Sequence, residues 1–238
     1  MSEPRVAALV CEGQTDVPVF EALIQELWPS VDEVRVLQPE VDEHGRSRGR
    51  AGWSEVKTWC EQNASDLGAL LDPPVGDRID LLLVAIDVDV AIAAGIANPP
   101  REVGAYESAR LQQTLRGWLK PRRARNLPPE VVVSTPVMAV EAWIIAAIFP
   151  RRAAPEALRD PAEFLVEKRK LRRSAKDEKP WKELHRYRDF ATKVAARLDR
   201  VRRSCPEAER TCRAIEQLRD AVEAQRRSRL RDGSRRSP

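Results

Sequence analysis

Histidine, cysteine and long apolar runs are what this sequence has least of. Two histidines, His44 and His185, stand among 238 residues, which excludes His-rich metal centres and most His-dependent triads. The four cysteines, at 11, 60, 205 and 212, are too sparse for a disulfide scaffold, and none has CxxC or Cys/His zinc spacing. Reduced thiols and a cytoplasmic setting are therefore expected. No stretch of eighteen apolar residues exists to make a transmembrane helix, so no membrane partner is expected. The first residues, Met1–Arg5, do not read as a secretory signal.

What is present is length and charge. The chain can bury a real core, as one α/β domain with an appendage or as two small domains. Charged residues make up 33%, and the net charge is only +4. That figure hides a division. Residues 1–150 hold 14 Lys and Arg against 22 Asp and Glu, a net of −8, while residues 151–238 hold 27 against 15, a net of +12. An acidic body followed by a basic segment suggests a polyanionic partner or a charged interface.

The first 150 residues alternate strand and helix patterns. Arg5–Val10 reads as a buried strand running into Cys11-Glu12-Gly13-Gln14-Thr15-Asp16. Phe20, Leu23, Ile24 and Leu27 then mark an amphipathic helix, with Thr15 as its N-cap and Pro18 in its first turn. Val34–Leu37 reads as a second strand, 38–52 as a polar loop and 53–70 as a helix. Ile79–Ile86 is the strongest strand and runs into Asp87-Val88-Asp89. A helix over 104–120, a strand over 131–135 and an apolar helix over 138–148 complete the pattern of a mainly parallel, Rossmann-like sheet covered on both faces.

The remainder has a different character. Asp160-Pro161-Ala162-Glu163 is a helix start. Helices are expected near 181–202 and over 206–224, and 151–225 forms a basic helical segment. Residues 226–238 have almost no apolar content and are expected to be disordered.

In a parallel α/β sheet, chemistry collects at the carboxyl ends of strands. Glu12 falls after the first strand, Asp87 and Asp89 after the strongest, and Glu141 lies in the apolar helix after the next. A carboxylate among Val140, Ala142, Trp143 and Ile144 is costly to bury without a partner charge. A metal would supply one, and oxygen ligands of this kind suit Mg²⁺ or Mn²⁺. Each acid taken alone has a plainer reading: a capping turn at Glu12, loop capping at Asp87 and Asp89, an ion pair at Glu141. The i, i+2 spacing of Asp87 and Asp89 puts both on one side if strand conformation persists. Their joint occurrence at strand ends favours a site.

The order strand–Glu12-Gly13-x-Thr15-Asp16–helix, then strand–Asp87-x-Asp89, resembles the TOPRIM domain of topoisomerases, primases and the overcoming-lysogenization-defect nucleases. A closer likeness is to an uncharacterised bacterial TOPRIM-like family encoded beside ATPases in phage-defence loci. It rests on those motifs, on Pro136–Trp143, on Tyr187-Arg188-Asp189 and on Leu198–Pro206, and spans about residues 5–220. The chain departs from it at Ala146-Ala147, where an acid is expected.

The resemblance implies a TOPRIM-like catalytic domain over 1–150. It implies Mg²⁺ or Mn²⁺ held by Asp87 and Asp89, Glu12 as ligand or general acid/base, and Glu141 completing the cluster or holding a second ion. It also implies a metal-dependent nuclease in antiviral defence, with an ATPase partner. A topoisomerase route would need a nucleophilic tyrosine. Tyr106 and Tyr187 are the sole candidates, and the chain lacks room for a strand-gate domain, so hydrolysis is preferred.

Lys168, Arg169, Arg172, Arg173, Arg188 and Arg197 are the candidate contacts to nucleic-acid phosphates, with Trp181, Tyr187 and Phe190 as stacking groups. The same basic helices would read as a solvated face, or as a dock for the ATPase or the acidic half of a second copy in a homodimer. The loop at 42–50 is a further candidate for the neighbourhood of the site. A non-catalytic, partner-binding module is the competing function. A haloacid-dehalogenase-type phosphohydrolase fits less well, because it places DxD after its first strand. A glycosyltransferase DxD leaves Glu12-Gly13 unexplained.

Overall fold

The computed structural model describes residues 4–40, 51–93, 105–121 and 124–234. The loop at 42–50 lies outside them. In chain order the elements begin with β1 (Val6–Val10), α1 (Val17–Leu27), β2 (Glu33–Gln38), α2 (Trp53–Asn63), α3 (Leu67–Leu71) and β3 (Ile79–Ala85). There follow α4 (Val88–Ala93), α5 (Ala105–Leu119), β4 (Val131–Ser134), α6 (Glu141–Ile148), a 3-10 turn at Pro155–Ala157 and α7 (Pro161–Glu167). A small hairpin, β5 (Arg172–Arg173) and β6 (Pro180–Trp181), precedes α8 (Leu184–Ala195), α9 (Leu198–Ser204) and α10 (Pro206–Ser234).

Four strands form one sheet in the order β2-β1-β3-β4, with every pair parallel. Every residue of β1 and β3 is buried, as a strand covered on both faces requires. The period-2 alternation of side chains divides them between two cores. Ala7, Leu9, Leu81 and Leu83 face a core built with α1, α6, α8, α9 and α10. Val6, Ala8, Val10, Leu82 and Val84 face a smaller one built with α2, α3 and α5.

The basic C-terminal segment is therefore one wall of the sheet's main core. Tyr187, Phe190, Val194, Leu198 and Val201 are buried, as are Cys212, Ile215, Leu218 and Val222, at the three- and four-residue spacing of a helix face. Asp160 caps α7 as expected, its Oδ1 accepting from the Glu163 amide at 2.9 Å.

Several expectations are corrected. The helix expected over 53–70 is two helices, parted by a turn in which the Asp66 amide donates to Asn63 O. The segment near 181–202 starts as a hairpin strand and then divides into α8 and α9. Thr15 does not cap α1; the N-cap is Asp16. Residues 226–234, expected to be disordered, continue α10. Their physical support is the Asp80 carboxylate inside β3, which is almost fully buried and takes its partner, at 2.9 Å, from Arg226 of α10. An Arg227–Glu223 pair one turn apart adds a weaker contact.

Candidate carboxylate site at the sheet's switch point

From β1 the chain crosses to β2 on one side, and β3 then returns to lie on β1's other side. The loops after β1 and β3 thus diverge and leave a crevice, the place where open α/β sheets bind ligands. Glu12 leaves β1 into this crevice and Asp87 leaves β3 into it. They are joined directly: the Asp87 amide donates to Glu12 Oε1 at 2.8 Å. Asp16 closes the turn after Glu12, its Oδ2 accepting from the Gly13 amide at 3.0 Å.

Asp87 and Asp89 are not extended neighbours. Helix α4 begins at Val88, which puts Asp89 in its first turn, where free amides favour a carboxylate. Strand conformation does not persist to Asp89: the Ile86 and Val88 amides still step along the β4 side, to Ser134 O at 3.2 Å and Pro136 O at 2.9 Å, but the chain turns into α4 from Val88. The loop it meets carries Met138 in the left-handed region (φ 66°).

Glu141 is the first residue of α6, not an interior one, and it is fully buried. Its Oε1 accepts from Lys182 Nζ at 2.7 Å and from the Tyr187 hydroxyl. Its Oε2 is buried with no hydrogen-bond partner. Lys182 follows β6 directly, so the hairpin delivers the ammonium.

The charges interact as one cluster. Burial pushes the Glu12 carboxyl up to about 8, helped by the charges of Asp16 and Asp89 and opposed by the Asp87 amide and Lys182. Burial raises Asp16 to about 7, against Lys182 and with Glu141. Asp87 is held well above the carboxylate range by loss of water and then by Asp16, Glu12, Asp89 and Glu141. Asp89, open to solvent at the rim, is raised to about 6 by its packed side, against Lys182. Glu141 goes the other way. Burial works to raise it, but Lys182 and the Tyr187 hydroxyl outweigh that and hold it below the ordinary value. Burial likewise opposes charge on Lys182, yet Glu141, Asp16 and Asp87 together keep it firmly protonated.

All four carboxylates read from the sequence thus share one electrostatic site. Asp16 and Lys182 join them. Asp16 was legible in its motif but not assigned a role; Lys182 had no signal, since only the hairpin brings it across. Among the described residues, no three His, Cys, Asp or Glu side chains are arranged to hold a metal ion as they stand. The donor chemistry nevertheless suits a hard divalent cation, since every candidate ligand is a carboxylate oxygen and Glu141 Oε2 is orphaned.

The basic candidates are dispersed. Lys168, Arg169 and Arg172 are exposed on or beside the hairpin. Arg173 is ion-paired with Glu163. Arg188 is exposed on α8 and acts electrostatically on Glu21. Arg197 caps the end of α6 through Ala147 O at 2.9 Å. Tyr187 and Phe190 are buried and cannot stack on bases; Trp181 is exposed and can. Ala146 and Ala147 are buried in the core.

Comparison of the chain with protein-family models, curated proteins and solved structures finds no match.

Proposed function

We propose that this chain is a TOPRIM-like, divalent-metal-dependent phosphodiesterase acting on nucleic acid as part of an antiviral defence pair with an ATPase. The observation that carries the reading is the direct bond between Glu12 and the Asp87 amide at the switch point of a parallel sheet, with Asp89 and Glu141 acting on the same pair by charge and a buried oxygen of Glu141 left unpaired. Asp87, Asp89 and Glu141 would hold Mg²⁺ or Mn²⁺. When bound, the ion would polarise the phosphate and supply hydroxide near neutral pH.

The chain's own residues support this division of labour. Glu12, raised to about 8, exchanges its proton near working pH, as a general acid or base must. Lys182 holds Glu141 ionised and sets a positive charge beside the place an anionic phosphate would enter. Tyr187 is an unsuitable nucleophile, because burial and Glu141 hold its hydroxyl protonated.

The test is cleavage of plasmid, single strands and tRNA with Mg²⁺ or Mn²⁺, with and without the neighbouring ATPase. Loss of cleavage in Asp87→Ala and Glu12→Ala supports the reading. Equal trace cleavage by wild type and both variants rejects it.

One observation favours a second reading, a non-catalytic partner-binding module: Lys182 already sets a positive charge against Glu141 Oε1 without any metal. That reading expects partner binding to survive loss of all four acids, and no thermal shift on adding Mg²⁺.

A further inference from the structure

We infer that the hairpin arm beside the carboxylate cluster is a stacking platform for single-stranded nucleic acid, with Trp181 taking a base and Arg172 the adjoining phosphate. The inference rests on the proposed nucleic-acid chemistry and names the form of its substrate.

The arm is the most basic short stretch of the chain. Residues 168–182 hold eight Lys and Arg against two acids, Asp177 and Glu178. Its two faces are used differently. Antiparallel pairing sets Arg172 opposite Trp181 and Arg173 opposite Pro180. Side chains directly opposite one another lie on the same face, and successive residues lie on opposite faces. Arg173 binds the arm back to the body through Glu163 and braces the hairpin itself by donating to Glu178 O. The other face therefore presents Arg172 and Trp181 together. Trp181 is 51% exposed, and Arg172 is exposed and makes no ion pair among the described residues.

Exposing half an indole costs free energy that a core position would recover, and nothing in the described chain covers it. An indole beside a guanidinium suits a base followed by its phosphate, whereas an acidic protein surface would use the cations and leave the indole idle. Single strands are favoured over duplex because only an unstacked base offers its face to a side chain.

The position of the platform is equally specific. Trp181 and Lys182 are adjacent, with Cα atoms about 3.8 Å apart. The first points to solvent and the second reaches Glu141. The platform and the ammonium that meets the carboxylate cluster are thus borne by consecutive residues of one backbone stretch, on opposite sides of it.

The experiment is fluorescence-anisotropy binding in EDTA, so that no cleavage intervenes. The probes are labelled 12-nucleotide DNA and RNA single strands, the matching duplexes, polyglutamate and anionic lipid vesicles. The expected result is preference for single strands, a loss of at least about fivefold in Trp181→Ala and recovery in Trp181→Phe. Arg172→Ala should lower the slope of log affinity against log salt by about 0.7. The DNA and RNA arms show which sugar is preferred. Equal binding of duplex, unchanged affinity in Trp181→Ala, or Trp181-dependent binding of polyglutamate or vesicles in place of oligonucleotides would overturn the inference. Single-strand binding without any metal-dependent cleavage would leave the platform standing and reject the nuclease.

Discussion

Lys182 Nζ lies 2.7 Å from Oε1 of Glu141, a carboxylate with no solvent exposure, and so joins the hairpin to the first turn of α6. Removing the ammonium strands a buried charge, whereas removing both charges leaves a neutral pair of similar shape. Lys182→Met should lower stability by about 1–3 kcal/mol, the lower figures reflecting that the Lys182 side chain is 41% exposed. Glu141→Gln in the same chain should recover much of the loss. Urea unfolding of the two single variants and the double variant measures the coupling, and strict additivity would contradict it.

Tyr187 donates to the same Glu141 oxygen from α8. Tyr187→Phe keeps the buried ring and its edge-to-face contact with Phe190 while removing one hydrogen bond to a charged acceptor. The expected cost is about 1.5–3 kcal/mol. A smaller effect, with Glu141 still ionised by isotope-edited infrared spectroscopy, would mean that Lys182 alone suffices.

Stability should fall as pH rises toward the mildly alkaline range. Glu12, Asp16, Asp89 and the separate buried Glu156 are raised to about 8, 7, 6 and 7, so the folded chain holds protons that the unfolded chain releases. Their contribution is complete below the ordinary carboxylate range and is lost as pH climbs through those values. Glu141, lowered instead, contributes above that range and loses its contribution in acid. The melting temperature should therefore be highest near pH 5 and drop by pH 8.5, at roughly 2–4 °C per kcal/mol for a chain of this length. Mg²⁺ should reverse part of the alkaline drop. A flat profile between pH 5 and 8.5 would contradict the raised values.

Glu12 has a structural and a chemical task that a conservative variant separates. Glu12→Gln keeps an oxygen for the Asp87 amide but no longer exchanges a proton. Near-native melting with cleavage reduced about 10²–10⁴-fold is expected. Glu12→Ala should lose both. Comparable cleavage by wild type and Glu12→Gln would remove Glu12 from proton transfer.

Deletion of residues 226–238 should be felt in the sheet. It takes away Arg226 and leaves Asp80 buried in β3 without that partner. A cost of about 1–3 kcal/mol is expected in chemical denaturation. No change would show that the last turns of α10 lend nothing to the core.

Much of the fold was legible because its signals are local. Leu81–Val84 is apolar at every position, Phe20 to Leu27 repeats with helical period, and Asp160-Pro161 opens a helix wherever it stands. The errors arose where a distant group decided a local question. Residues 226–234 stayed helical where the buried Asp80 lies within reach of Arg226.

The site divides in the same way. The sequence by itself determined that Glu12, Asp87, Asp89 and Glu141 follow strands, because strand propensity and position after a strand are properties of neighbouring residues. Only the tertiary structure decided that they act on one another and on Asp16 by charge, because the strand order 2-1-3-4 is set by packing. Only it could place Lys182 among them and Trp181 outside them, since a two-residue hairpin strand carries no period to read and its orientation is fixed by Arg173 holding Glu163.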